Sequence, residues 1–198
     1  MKAGFARASI TPPLGTTMMG FGSRDMERGC GAIHDPVYAR ALYLEHAGEP
    51  LLIMGFDLCF LGREEADRYK GAIGRHLDLY PRQILLNTSH NHVGPSVGTW
   101  YSAGYEPPDR YYLQLLEDAS ARVALEARAS ARAATLWVGQ TTTALPMNRR
   151  RSTEEGLIEN RPNPSGKVYD RMPLCLFKDR AGSPICLLFS ISTHPSMM

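Results

Sequence analysis

Two histidines, His90 and His92, follow a strand-like apolar run near the middle of the chain. The run at residues 84–86 leads into polar residues, and Gly94-Pro95 ends the segment. If the chain stays extended, both imidazoles point to one side, because side chains alternate along a strand. Neutral imidazole is a common metal ligand, and His-x-His supplies one or two ligands from a short segment. The spacing therefore indicates part of a metal site. Loop histidines that are solvated or hydrogen-bonded are the competing interpretation.

A third histidine occupies a similar position near the other end of the sequence. His194 follows a predicted core strand at residues 184–192 and precedes Pro195. His194 lies far from His90 along the chain, so the two can meet only through the fold. If their strands run side by side in the same direction, the strand ends converge on one cleft.

Two further polar residues, Asp57 and His34, flank predicted strands. Asp57 comes near the end of the apolar strand at residues 51–58. A buried carboxylate needs a partner, so Asp57 is expected to serve a metal site or to cap the next helix, and capping is the commoner role. His34 directly precedes the strand at residues 37–46 and is expected to face the same cleft.

The elements that must position these side chains predict an α/β fold. Strand, helix and strand in succession indicate a layered α/β domain with functional loops at the strand ends. We therefore predict a mixed β-sheet core flanked by helices. Besides the strand that leads to His90, strand patterns cover residues 5–10, 37–46, 51–58, 134–143, 172–178 and 184–192, and helical patterns cover residues 63–80 and 109–131. Asp109 is the expected cap of the second helix.

Two loops stand out between these elements. Residues 15–31 are rich in glycine and contain Met18-Met19-Gly20-Phe21, which suits an adaptable apolar wall of a pocket or an ordinary packed loop. The segment at residues 146–168 is long and polar, and loops of this length inside a domain are usually functional or disordered. It contains Asn148-Arg149-Arg150-Arg151, which by itself indicates a solvated basic edge.

Composition limits the classes of protein to consider. The 198 residues are 43% hydrophobic and 21% charged, which is ordinary for a globular protein. The net charge of +2 is too small to indicate a nucleic-acid partner. No C-x-x-C pair occurs, and buried free thiols are expected for most of the four cysteines, which are Cys30, Cys59, Cys175 and Cys186.

The two ends of the sequence carry separate expectations. The first residues enter a strand-like run without the apolar core of a signal peptide, and no apolar run approaches membrane-span length, which predicts a cytoplasmic protein without a transmembrane segment. The predicted core strand at residues 184–192 lies close to the last residue. A core strand usually leads to an element that covers it, so we expect a partial domain, residues 1–198, with a C-terminal portion missing.

Six segments occur along the chain in a characteristic order: Phe5-Ala6-Arg7-Ala8-Ser9-Ile10-Thr11-Pro12, Met18-Met19-Gly20-Phe21-Gly22, Ile33-His34-Asp35-Pro36-Val37-Tyr38-Ala39-Arg40-Ala41, Asp57-Leu58, His90-Asn91-His92-Val93-Gly94-Pro95 and Ser192-Thr193-His194-Pro195. Together they resemble the N-terminal catalytic domain of the neutral/alkaline, non-lysosomal ceramidases. The segments that contain His34 and His90 are the most specific.

This resemblance implies a zinc-dependent hydrolase that cleaves the N-acyl amide bond of ceramide to give sphingosine and a fatty acid. The family holds zinc with two histidines, a glutamate and a tyrosine. By motif, His90 and His194 resemble the two histidine ligands, which predicts nitrogen atoms roughly 3 to 4 Å apart. His92 resembles the substrate-side histidine, and Arg149 resembles an active-site arginine. Asp57 and His34 are the candidates for orienting the imidazoles.

The sequence also departs from the family pattern. Ser-His-Asn-His-Val-Gly-Pro replaces Thr-His-Thr-His-Ser-Gly-Pro, Thr-His-Pro replaces Val-His-Gly, and the glutamate and tyrosine ligands have no counterpart. These differences predict a divergent bacterial relative. Three interpretations stay open: a ceramidase-type zinc amidohydrolase acting on ceramide or a related N-acyl compound, a metal-dependent hydrolase with an unrelated substrate, and a non-catalytic module that keeps only the scaffold.

Overall fold

The computed structural model describes residues 1–21, 28–98 and 108–195. Within these residues the helices are α1 (Arg63–Leu77), α2 (Arg110–Ala129) and a short 3-10 helix (Pro81–Gln83). The strands are β1 (Lys2–Ser9), β2 (Met18–Met19), β3 (Tyr38–His46), β4 (Glu49–Phe56), β5 (Ile84–Thr88), β6 (Gly94–Pro95), β7 (Arg132–Thr142), β8 (Arg151–Ser152), β9 (Ile158–Glu159), β10 (Arg171–Asp179) and β11 (Pro184–Phe189).

Seven of these strands form a mixed sheet in the order β11-β10-β7-β1-β3-β4-β5. With α1 and α2 this is the α/β architecture that the sequence predicts. The chain divides into two compact units. The first contains Met1–Thr135 and Pro195, and the second contains Leu136–His194.

The sheet of the first unit combines antiparallel and parallel pairing. β1 and β4 both run antiparallel to β3, and a tight turn at Ala47-Gly48, with φ of 51° and 82°, joins β3 to β4. Positive φ at both central residues matches the right-handed twist of a hairpin. β5 pairs with β4 in parallel, after a crossover through α1. The carboxyl ends of β4 and β5 therefore lie at the same edge of the sheet.

One face of this sheet carries the hydrophobic core. Ala41 and Met54 are neighbours across β3 and β4, and both are fully buried. They pack in one cluster with Tyr69 of α1 and with Tyr112 and Leu116 of α2. Both helices therefore cover the same face. The opposite face is more open, because Leu51 and Leu85 are 37% and 53% exposed.

Asp109 caps helix α2, as the sequence predicts, and its carboxylate accepts hydrogen bonds from the amides of Tyr111 and Tyr112. Replacing an N-cap aspartate by alanine leaves first-turn amides without this acceptor and costs about 1 kcal/mol. We expect Asp109→Ala to lower the free energy of unfolding by that amount in a urea titration, whereas Asp109→Asn keeps most of the stability. Equal stability of the alanine variant and the native protein would contradict this account of the cap.

The sheet of the second unit contains β7, β10 and β11. Asp179 closes the β10–β11 hairpin, because its carboxylate accepts hydrogen bonds from the amides of Ala181 and Ser183. Large apolar side chains of this sheet stay exposed, including Trp137 at 61% and Phe189 at 53%. Exposed apolar area of this kind is typical of a surface that contacts another polypeptide.

The predicted elements are all present, with ends that differ by a few residues. Helix α1 ends at Leu77, because Asp78 adopts a left-handed conformation with φ of 52° and its amide donates to the carbonyl of Gly74. The long loop at residues 146–168 contains the small hairpin β8–β9. None of the helices in the described part of the chain has the length and hydropathy that a membrane span requires.

Candidate metal centre

His90 and His92 do meet, although a turn brings them together and not strand alternation. β5 ends at Thr88, and His90 has a φ of 60°. This left-handed conformation is uncommon for residues other than glycine and often occurs at functional sites. The amide of Asn91 donates to the carbonyl of Leu58 at 3.1 Å and supports the turn. The two Nε2 atoms lie 3.1 Å apart, with the rings at an angle of 88°.

Main-chain carbonyl groups orient both imidazoles. Nδ1 of His90 lies 2.9 Å from the carbonyl oxygen of Cys59, and Nδ1 of His92 makes a short hydrogen bond with the carbonyl oxygen of Gly20. A carbonyl oxygen only accepts, so Nδ1 of each ring carries a proton. In its neutral form each ring then presents the lone pair of Nε2. This arrangement, with one ring nitrogen bound to a carbonyl, is the usual one for histidine ligands of metals.

The facing lone pairs fit a shared cation. Two acceptors repel at 3.1 Å unless a metal ion or a proton lies between them. Two nitrogen ligands of a tetrahedral zinc ion, each at 2.0–2.1 Å, lie roughly 3.3 Å apart. The observed separation is close to this value. The donor chemistry and spacing of His90 and His92 therefore fit a cation between the rings, either a zinc ion or a proton that Nε2 of one ring donates to Nε2 of the other.

Cys59 joins the histidines at the edge of the sheet. One donor atom each from Cys59, His90 and His92 lies within 4.8 Å of the others. Cys59 is 4% exposed, and burial raises the pKa of its thiol. Sequence analysis treats Cys59 as a packing residue and misses this cluster. The signal that reveals it is the parallel pairing of β4 with β5, which brings the chain after both strands to one edge.

The glycine-rich segment lines one side of His92. Gly20 has a φ of 119°, and a Cβ atom there would lie 2.5 Å from the carbonyl oxygen of His92. The ring of Phe21 contacts the imidazole edge-on, with centroids 5.5 Å apart. Strand β2 pairs with β6 directly after the histidines, with Met19 opposite Gly94. Gly20 and Phe21 therefore line one side of His92, which fits the first of the two interpretations that the sequence leaves open for this loop, while Gly22 lies outside the described residues.

The carboxylate of Asp57 forms hydrogen bonds with residues of the neighbouring strand, β3. Its carboxylate accepts from the amide of Tyr38 at 2.9 Å and from the guanidinium of Arg40 at 2.7 Å. It does not cap α1, whose N-cap residue is Gly62. The side chain of Asn91 donates to the main-chain carbonyl of Asp57 at 3.4 Å. Asp57 thus fixes the end of β4, and its carbonyl contacts the turn that carries the two histidines.

The other predicted site residues lie apart from this cluster or in the second unit. The side chain of His34 is 97% exposed and pairs with Asp35 at 2.6 Å. His194 and Arg149 belong to the second unit, and both are half-buried. Pro195 belongs to the first unit, where its carbonyl accepts a hydrogen bond from the amide of His92 at 3.3 Å. The functional roles of His34, His194 and Arg149 stay predictions.

Comparison with known proteins finds solved structures whose fold is similar to that of this chain. No protein-family model matches the chain, and no curated protein matches it. A solved structure of neutral ceramidase from Pseudomonas aeruginosa matches with a TM-score of 0.75 and 23% sequence identity. The chain has the fold of a part of this ceramidase. A second structure, described as ceramidase complexed with C2, matches with a TM-score of 0.72 and 20% identity.

The match covers nearly all of this chain but a minor part of the two ceramidases. It extends over 95% of this chain in both cases, and over 31% and 30% of the ceramidase chains. The resemblance predicted from the six segments is therefore confirmed for the fold. The chain spans about a third of the length of the ceramidases that it matches.

Proposed function

We propose that this chain is part of a zinc-dependent hydrolase that cleaves an N-acyl amide bond, with ceramide or a related N-acyl lipid as substrate. The observation that carries the proposal is the pair of imidazoles at 3.1 Å, each oriented by a main-chain carbonyl. The similarity in fold to neutral ceramidase supports the choice of substrate class.

His90 is the first metal ligand in this proposal and binds through Nε2. The sequence motif adds His194 as the second ligand. This assignment of His194 rests on the motif alone. Zinc, when bound, would polarise the amide carbonyl as a Lewis acid. Asp57 contributes indirectly, because its carbonyl contacts Asn91 between the two histidines. A role for His34 in orienting the imidazoles is proposed on the basis of the motif alone.

His92 acts on the substrate side in this proposal. The carbonyl of Gly20 keeps the proton on Nδ1, so Nε2 can accept a proton and later return it to the leaving amine. Phe21 covers one edge of the ring and limits the access of water there. Arg149 stabilises the negative charge that develops on the carbonyl oxygen in this proposal, on the basis of its motif alone.

A non-catalytic or incomplete module is the second candidate. It is favoured by the coverage of about a third of each ceramidase chain and by the exposed apolar side chains of β7 and β11. In this case the scaffold needs further polypeptide, such as a C-terminal portion, to supply the remaining ligands. The third candidate is a metal-dependent hydrolase of the same fold with an unrelated substrate.

Hydrolysis assays on the zinc-loaded chain separate these candidates. We expect release of the fluorescent acyl group from a labelled N-acyl sphingosine, loss of that activity with a chelator, and a fall in kcat of about 10²- to 10⁴-fold in His92→Ala. The matched control is His46→Ala, at the exposed end of β3, which should keep full activity. Cleavage of labelled N-acyl amino acids alone would identify an unrelated substrate. Zinc binding without either hydrolysis would favour the non-catalytic module.

A further inference from the structure

Strand β11 lies at one edge of the seven-stranded sheet and consists of apolar residues. It pairs with β10 on one side, and no strand in the described part of the chain pairs with its other side. Its side chains stay accessible, because Leu187 is 51% exposed, Leu188 38% and Phe189 53%. An exposed apolar edge strand is a template for pairing with another strand.

The features that normally protect a sheet edge are confined to the first residues of β11. Pro184 starts the strand, and the pairing register shifts between Phe177 and Lys178, which lie opposite this end. Proline and bulges at such positions discourage the pairing of edges. Residues 186–189 contain neither a charged residue nor a proline, so this part of the edge is open to a partner strand.

The hydrogen bonds with β10 identify the main-chain groups that point outward. The amide of Ser190 donates to the carbonyl of Pro173 at 3.2 Å, so the even-numbered residues in this part of the chain bond to β10. Because bonding alternates along an antiparallel strand, the amides and carbonyls of Leu187 and Phe189 face away from β10. These four main-chain groups need water or a partner strand.

We propose that β11 pairs antiparallel with β11 of a second copy of this chain, about a two-fold axis beside Leu188. In this register Leu187 of each copy lies opposite Phe189 of the other, and their outward amides and carbonyls form four hydrogen bonds. Residues 186–189 are uncharged, so no like charges meet across the pair. This match favours a second copy over another polypeptide, because β11 supplies the uncharged apolar strand that its own edge accepts.

Exchange of charge at Leu188 tests the pairing, because the axis places the two copies of this residue directly opposite each other. An edge pair buries less area than a standard interface, so we expect a dissociation constant on the order of 10 µM. Sedimentation equilibrium at higher concentration should then give twice the 21.9 kDa of one chain. Leu188→Lys should weaken association at least about tenfold, since two ammonium groups then meet. Leu188→Glu should do the same, whereas an equimolar mixture of the two variants should associate again.

Leu85→Lys is the matched control for these variants. Leu85 is 53% exposed and belongs to β5, the other edge strand of the sheet. This replacement should leave association unchanged, and circular dichroism checks that every variant is folded.

Several results would overturn the proposal. The mass of a single chain up to about 300 µM is one, because a pair of the expected affinity is then mostly dimeric. Species larger than two chains are another, because two-fold pairing closes on itself. A dimer that Leu188→Lys leaves intact, or two folded variants that fail to associate when mixed, would contradict it as well. No measurement of hydrolysis enters this test, so its outcome is independent of the proposed function.

Discussion

Replacing His90 by alanine is expected to abolish stoichiometric zinc binding by this chain. His90 is the residue that contacts both other members of the cluster, because it pairs with His92 at Nε2 and with Cys59 at Nδ1. Loss of an outer-sphere partner already weakens metal affinity 10- to 100-fold, so loss of the ligand itself should weaken it by more than about 100-fold. Equilibrium dialysis followed by elemental analysis of zinc measures this directly.

A second variant separates the loss of the imidazole from strain in the turn. His90 has a φ of 60°, a left-handed conformation that is strained for alanine but tolerated by asparagine. His90→Asn should therefore keep the turn and still lose zinc. The control His46→Ala should bind zinc like the native chain. Full zinc binding by a folded His90→Asn variant would rule out His90 as a ligand.

Gly4→Ala is expected to lower the stability of the first unit strongly. A Cβ atom at Gly4 would overlap the carbonyl oxygen of Ala127 and would lie 2.7 Å from the amide nitrogen of Ala131. The first atom belongs to the last turn of α2 and the second follows the helix directly, so this end of α2 must move away from β1. Overpacking of this kind costs about 3 kcal/mol, which lowers Tm by about 6–12 °C in a protein of this size.

Gly55→Ala is the matched control for this prediction. Gly55 lies in β4 of the same sheet, and a Cβ atom there meets no other group within 4 Å. Its Tm should stay within about 2 °C of the native value, since surface changes usually alter stability by less than about 0.5 kcal/mol. Differential scanning calorimetry of both variants gives the comparison. Equal Tm values for Gly4→Ala and Gly55→Ala would show that the end of α2 does not lie against Gly4 of β1.

Local signals in the sequence were sufficient to predict the elements and their class. The Asp109 carboxylate directly before a helical pattern predicts the start of α2, and the structure confirms that cap. Alternating and apolar runs predict the strands, because burial on one face of a strand repeats every second residue. The order strand, helix, strand predicts the parallel pair β4–β5.

The details of the site depend on contacts between distant residues, which local patterns do not encode. His90 and Cys59 are far apart in sequence, and only the pairing of β4 with β5 joins them. The left-handed turn at His90 has no glycine or asparagine at that position to indicate it. Asp57 pairs with Arg40 rather than with an imidazole or a helix end, and a strand-end carboxylate alone cannot distinguish these partners.

The position of bound zinc tests the account most directly. Crystals of the zinc-loaded chain, measured on both sides of the zinc absorption edge, give an anomalous difference map in which the ion appears without reference to any chemical assumption. We predict a single strong peak about 2.0–2.1 Å from Nε2 of His90. A strong zinc peak at any other group of side chains, with none beside His90, would contradict the assignment of this cluster as the metal centre.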